Sequence, residues 1–295
     1  MPHNGYAVSI MSYETGSSVD LHHTADGIRL RYRRSGTGPT IVLLHGTTSS
    51  LEHFDRLARM LARRYDVVRV DLPGFGMTGP RPDRDYRITT YARTIAAFLD
   101  GLEIKQAVVL GNSLGGNVAW NLARDRPDLV RALILVNATG YPSKELPRGM
   151  QLARKPWIRP LLRRWLPRTM VEKNLRQAVG PLSTIVDDAM IDRVHRLWSR
   201  PGNKSAFVDF VNTDQTDRTD ELATITAPTL VLSSASMPQR FAVDIPGARE
   251  RINPTSGHLL PEEDPEWVLR AVTTFLDRSD EQGNDTDIDV EESIR

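Results

Sequence analysis

The sequence predicts an α/β fold built on a mostly parallel sheet with helices on both faces, and three observations predict it. From Ile28 onward, short β-branched runs alternate with longer helical patterns. The alternation stops between Gly140 and about Ala227, where helical stretches are punctuated by Pro142, Pro147, Pro156, Pro160, Pro167, Pro181 and Pro201. A helical insertion between two sheet strands is the economical reading of that break. Finally, Gly111-Asn112-Ser113-Leu114-Gly115-Gly116 stands directly between an apolar strand and a helical run.

Taken in order, residues 1–24 read as a weakly ordered N-terminal segment with little to anchor it. The core then occupies 25–139 and 221–278. Its strands are predicted at Ile28–Arg33, Thr40–Leu44, Asp66–Val70, Ala107–Leu110, Ala132–Val136, Thr229–Leu232 and Ala248–Ile252. Helices are predicted at His53–Arg64, Thr89–Leu102, Leu114–Asp125 and Glu266–Asp277 from apolar residues at helical spacing. Residues 140–220 form the helical insertion. After Arg278, the stretch 279–295 carries seven acidic residues and one Arg, with few apolar anchors, and reads as a disordered tail.

Composition narrows the chemistry. The 295 residues, 40% hydrophobic and 25% charged, suit a soluble globular protein with a substantial core. With 38 Lys+Arg against 37 Asp+Glu there is no global field favouring nucleic acid. Cysteine is absent, which excludes disulfides, thiolate nucleophiles and Cys-ligated metal. Residues 1–18 lack a basic start followed by an apolar stretch, and no apolar run nears the roughly 18 residues of a membrane span. These features predict a cytoplasmic protein without a transmembrane segment. Charge is uneven, however: Lys144 to Lys204 holds 14 basic residues against 5 acidic.

The Gly111–Gly116 run makes a nucleophile elbow. The chain reverses so sharply there that glycine is needed on either side of Ser113, whose hydroxyl is pushed out at the strand end. The Leu114 N–H, at a helix N-terminus, can stabilise a developing oxyanion. His45-Gly46-Thr47 follows strand Thr40–Leu44, and a loop there can aim the Thr47 N–H at the same point; His45 itself reads as a structural loop residue. Ser256-Gly257-His258 follows the last strand, which gives the chain order nucleophile then base, so His258 is the candidate general base. His53 either lines the pocket or packs. Gly74-Phe75-Gly76-Met77-Thr78-Gly79 matches a dinucleotide fingerprint, but Pro80 and Pro82 follow where a helix must open, so it reads as a loop. Neither a phosphate-binding loop nor a zinc-protease motif is present, and no cofactor or metal is expected.

Across about residues 25–278 the chain resembles the α/β-hydrolases, specifically the capped serine-hydrolase branch with esterases, haloperoxidase-like enzymes and carbon–carbon bond hydrolases. The resemblance rests on His45-Gly46, Asp71-Leu72-Pro73-Gly74-Phe75-Gly76, Gly111–Gly116, Ala227-Pro228-Thr229-Leu230 and Gly257-His258. It implies Ser113 as nucleophile, His258 as base, Thr47 and Leu114 as oxyanion donors, and a helical cap inserted between the family's strands 6 and 7. Serine in place of an aspartate nucleophile argues against epoxide hydrolase and haloalkane dehalogenase chemistry. The pattern departs at the third triad residue. The family's Asp follows the strand corresponding to Thr229–Leu232, yet Ser233-Ser234-Ala235-Ser236-Met237-Pro238-Gln239 holds no acid. Two candidates stand in for it: Asn137, after the preceding strand, which could fix a tautomer without a charge, and Asp244, the acid between this strand and the next.

The expected activity is a serine-dependent hydrolase of an ester, thioester or activated carbonyl, acting through an acyl-enzyme on a small apolar substrate. The missing acid keeps two alternatives open: a lyase, cyclase or isomerase on the same fold, or a catalytically impaired binding protein. Within the insertion, Trp157, Leu161 and Trp165 recur at fourfold spacing among Lys155, Arg159, Arg163 and Arg164. The simpler expectation is a cap helix with its apolar face closing a hydrophobic pocket. The alternative is a basic surface that receives an anionic or carrier-linked substrate, or a membrane.

Overall fold

The computed structural model describes residues 19–142 and 148–291. Up to the insertion the chain runs β1 (Leu21–Ala25), β2 (Ile28–Ser35), β3 (Thr40–Leu44), a 3₁₀ turn Leu51–Phe54, α1 (Asp55–Leu61), β4 (Asp66–Val70), α2 (Ile88–Gly101), β5 (Ala107–Asn112), α3 (Leu114–Asp125) and β6 (Val130–Val136). The insertion supplies α4 (Arg148–Arg154), α5 (Arg159–Arg164), α6 (Arg168–Ala178), α7 (Asp188–Trp198) and α8 (Asn203–Asn212). The core resumes with β7 (Thr229–Ser234), α9 (Phe241–Asp244), β8 (Arg249–Asn253), α10 (Leu260–Glu263) and α11 (Pro265–Glu291).

The eight strands form one sheet in the order β1-β2-β4-β3-β5-β6-β7-β8. Pairing is antiparallel at β1/β2 and β2/β4 and parallel from β4 to β8. Period-two alternation splits each central strand between two cores, which is why these strands read as unbroken apolar runs. Val42 and Leu44 of β3 join Val109, Leu133 and Leu135 beneath α2 and α3, with Tyr91, Phe98 and Trp120. Ile41 and Leu43 face the other way with Leu110, Ile134 and Val136, against Leu57, Leu61, Val268, Val272 and Phe275 of α1 and α11. The insertion packs on an apolar cluster of its own, including Val171, Met190, Ile191, Trp198 and Val208.

Two expectations change. Residues 1–18 lie outside the described residues, but Leu21 to Thr24, expected to be weakly ordered, belong with Ala25 to an edge strand. Asp26 and Gly27 take φ of 50° and 73°, the two-residue turn that matches strand twist, and Ala25 pairs with Ile28 across it. At the other end, where composition predicts a disordered tail, the backbone of α11 continues to Glu291. Extending a helix already seeded by buried Val268, Val272 and Phe275 needs no new nucleus, and no proline interrupts it. Residues 292–295 lie outside the described residues.

Candidate active site

β5 ends at Asn112 and α3 begins at Leu114, so Ser113 alone makes the reversal. It adopts φ 55° and ψ −115°, a strained backbone for a residue with a side chain. The fit is tight on both sides. A β-carbon on Gly111 would lie 2.2 Å from the Gly115 carbonyl oxygen, and one on Gly115 would lie 2.0 Å from that of Leu44. Any larger residue at either position would push α3 off the sheet. The loop after β3 closes against the elbow: a β-carbon on Gly46 would come 3.1 Å from the Ser113 β-carbon. Thr47 follows in that loop, and the Leu114 N–H belongs to the first turn of α3, where backbone donors lack helical partners.

Buried polar groups hold that loop. His45 Nδ1 donates to the Gly46 carbonyl over 2.8 Å and Nε2 accepts from the Leu72 N–H over 3.0 Å, which fixes the tautomer. Burial pushes this imidazole down to about 4, so it is neutral at ordinary pH. Asp71 accepts from the backbone N–H of Leu51 and of Met77, each over 2.7 Å, and from the Arg31 guanidinium over 3.0 Å. Arg31 also pairs with Glu52 and Asp20. The Gly74–Gly79 run is a loop wrapped round Asp71, as read from the sequence.

His258 sits in the loop between β8 and α10. The Asn112 side chain donates to its carbonyl over 3.2 Å, which brings His258 beside the residue preceding Ser113. Its N–H donates to the Ala178 carbonyl of the insertion over 2.6 Å. The ring makes one hydrogen bond among the described residues: Nδ1 lies 3.3 Å from the Met237 sulfur. A thioether only accepts, so we assign the proton to Nδ1, which leaves Nε2 as the basic nitrogen. Burial, reinforced by nearby His53, pushes His258 down to about 4.

Neither candidate third member reaches this ring. The Asn137 amide is fully buried and donates to the carbonyls of Gly257 (3.1 Å) and His258 (3.4 Å) and to the Ser234 hydroxyl (3.0 Å), while its oxygen accepts from the Ser234 N–H (2.9 Å). It braces the backbone that carries His258. Asp244 accepts from the Tyr141 hydroxyl over 2.6 Å and from Arg240 over 3.4 Å, so its carboxylate is committed elsewhere. Met237, for which the sequence raises no expectation, lies at the ring nitrogen that neither Asn137 nor Asp244 reaches. Its one signal is its position in the loop after β7, where an oxygen-bearing side chain is the natural thing to seek.

The sequence profile of the alpha/beta hydrolase family matches residues 41–271. The chain belongs to the alpha/beta hydrolase family. It is 29% identical over 291 residues to a 2-hydroxy-6-oxononadienedioate/2-hydroxy-6-oxononatrienedioate hydrolase of Burkholderia vietnamiensis, covering 92% of this chain and 99% of that one. It is 27% identical over 263 residues to an uncharacterized hydrolase of Bacillus subtilis, covering 86% and 96%. Among solved structures, a thermophilic esterase from Thermogutta terrifontis superposes with a TM-score of 0.73 at 26% identity, covering 89% and 99%.

This alpha/beta hydrolase chain ties its insertion to the core around His258. Glu262 on α10 accepts from His53 Nδ1 over 3.0 Å and from Arg193 of α7. Burial acts to raise the Glu262 carboxyl, but the bonds from His53 and Arg193 outweigh it and hold the group below the usual carboxylate range. His53, read from sequence as either pocket lining or packing, is buried, and its Nε2 has no hydrogen-bond partner among the described residues. Glu263 accepts from the N–H of Gly180 in the insertion (2.7 Å) and of Gly257 (2.9 Å), strapping the two segments together. Asn203 of α8 donates to the Gly76 carbonyl over 2.9 Å. Ser113 is only 6% exposed beneath these ties. A groove of about 450 Å³ lies elsewhere, between α2 and α3, lined by residues that include Arg93, Asp100 and Arg126. Its charged rim and its separation from the elbow give it no part in chemistry at Ser113.

Proposed function

We propose that this chain is a serine hydrolase of esters, thioesters or activated carbonyls, with Met237 where other family members carry an acid. Ser113 Oγ adds to the substrate carbonyl carbon while His258 Nε2 takes the hydroxyl proton. The N–H groups of Leu114 and Thr47 receive the oxyanion. As the tetrahedral intermediate collapses, the bond to the leaving group breaks and His258 returns the proton to it. Water, deprotonated by the same nitrogen, then releases the acid and regenerates Ser113. The insertion acts as a cap, and its ties to residues 257–263 shift to admit substrate.

What carries this reading is Ser113's left-handed backbone at the β5–α3 junction, together with a His258 tautomer whose Nε2 is free to accept a proton. The hydrolase names of its relatives support the class. A second reading is favoured by the neutral sulfur at Nδ1: without a charged partner the imidazolium is poorly stabilised, which suits a lyase, cyclase or isomerase step, or binding alone. Labelling by a fluorophosphonate probe separates the two. The hydrolase reading expects labelling of the wild type that disappears in Ser113→Ala and His258→Ala; a folded wild type that never labels overturns it.

A further inference from the structure

The insertion's apolar stripe does not face inward. Hydrogen bonds from Arg159 to Lys155, from Leu162 to Ile158 and from Trp165 to Leu161 make 155–165 one helical stretch, so residues four apart stack on one side. Leu162 and Leu166 pack on the insertion's own cluster. Trp157, Leu161 and Trp165 point outward and are 75%, 55% and 58% exposed, and none of α5 is buried. The expectation of a pocket-closing face is therefore corrected: two indoles and a leucine form a ridge on the outside of the molecule.

Cations surround the ridge. Between Arg148 and Val171 the sequence holds seven basic residues and no acidic one. Arg159 and Arg163 reach back to Asn212 and Asp209 of α8. Arg154, Lys155 and Arg164 are exposed and make no ion pair among the described residues, and the Lys155 ammonium lies 5.8 Å from the centre of the Trp157 ring. Exposed tryptophan beside unpaired cations fits one environment well: indole settles at the boundary between hydrocarbon and headgroups, and Lys and Arg extend from it toward phosphate. We propose that α5 and the turn before it form a docking ridge for an anionic lipid surface. Among the described residues no helix is long and apolar enough to cross a membrane, so the attachment is peripheral and reversible. The proposal stands on the surface alone and is independent of the chemistry at Ser113.

The test is co-sedimentation of the full chain with vesicles of phosphatidylcholine alone and of equimolar phosphatidylcholine and phosphatidylglycerol. The wild type is expected to partition onto the mixed vesicles and not the neutral ones. Replacing Arg154, Lys155 and Arg164 together by Gln should weaken this about a hundredfold, at about fivefold per charge. Trp157→Ser with Trp165→Ser should weaken it at least about tenfold. Both sets are exposed, and the hydrogen bond given up, from Arg154 Nε to the Val211 carbonyl over 3.3 Å, is long, so thermal melting should stay within about 5 °C of the wild type. Three results would overturn the proposal: no binding of wild type to mixed vesicles, undiminished binding by the folded variants, or a dimer in sedimentation equilibrium that the Trp variant dissociates. Capture by an acidic polypeptide such as poly-glutamate, without vesicle binding, would equally overturn it in favour of a protein partner.

Discussion

Met237→Glu tests whether a sulfur truly stands where a carboxylate would serve. The methionine sulfur, 3.3 Å from His258 Nδ1, occupies the position that the carboxyl carbon of a glutamate side chain would take, so the introduced carboxylate oxygens would fall within hydrogen-bond reach of the ring. His258 is held at about 4 against 6.5 for ordinary imidazole, mainly by burial, which amounts to about 3 kcal/mol against the imidazolium. An ion pair near 4 Å at an effective dielectric of 20 contributes about 4 kcal/mol in the opposite sense, enough to return the group to about 6–7. In the proposed mechanism the imidazolium forms in the transition state, so acylation should accelerate by about 10²-fold or more at neutral pH. With His258 acting as a neutral base, wild-type activity should fall only as pH drops through about 4, whereas in Met237→Glu the acid limb should move up by about two to three units. Stopped-flow acylation by a p-nitrophenyl ester, with the histidine titration followed by NMR, measures both effects. If folded Met237→Glu acylates no faster than Met237→Leu, the sulfur is not in the acid's place and the assignment fails.

Asn137→Asp distinguishes bracing from catalysis. The substitution removes the amide donors to Gly257 and His258 and sets a carboxylate against their carbonyls, so it should lower stability by about 2–3 kcal/mol in urea unfolding without accelerating acylation. A faster enzyme would restore Asn137 as the base's partner. Arg31→Ala leaves the carboxylate of Asp71 buried and unpaired among backbone donors, and calorimetry should register a loss of about 3–5 kcal/mol. His45 has a folded pKa depressed from 6.5 to about 4, so its contribution to stability is fully present above pH 6.5 and is lost as pH falls through about 4. Unfolding curves across that window should fall by about 3 kcal/mol from this group, and its NMR resonance should titrate near 4; titration near 6.5 would contradict the buried geometry.

Strands β3 to β7 of the parallel core were legible because they are buried on both faces. Thr40–Leu44 and Asp66–Val70 appear as the sequence predicts, and β5 to β8 differ from it only at their ends. The elbow was legible because Gly111 and Gly115 answer to local clashes that any sequence in that turn must meet. β1 was missed because its residues are polar and its one signal, Asp26-Gly27, acts through backbone conformation. Met237 was missed for a different reason. Its role depends on an approach between loops after β7 and β8, and no spacing in the chain encodes that a sulfur will meet a ring nitrogen. The outward turn of Trp157 and Trp165 was equally hidden, since periodicity identifies a stripe but not the side of the helix on which its neighbours lie.

The strap at Glu263 bears on how the chain is made. Ser113 reaches its left-handed turn on β5, but the residues that complete its surroundings, His258 and the Glu263 carboxylate that joins Gly257 to Gly180, come about 150 residues later. At synthesis rates of about 5–20 residues per second, about 8–30 s separate the making of Ser113 from that of Glu263. Glu263 joins Gly180 to Gly257, two segments 77 residues apart, so the insertion cannot be fastened to the loop that carries His258 until that carboxylate has been made.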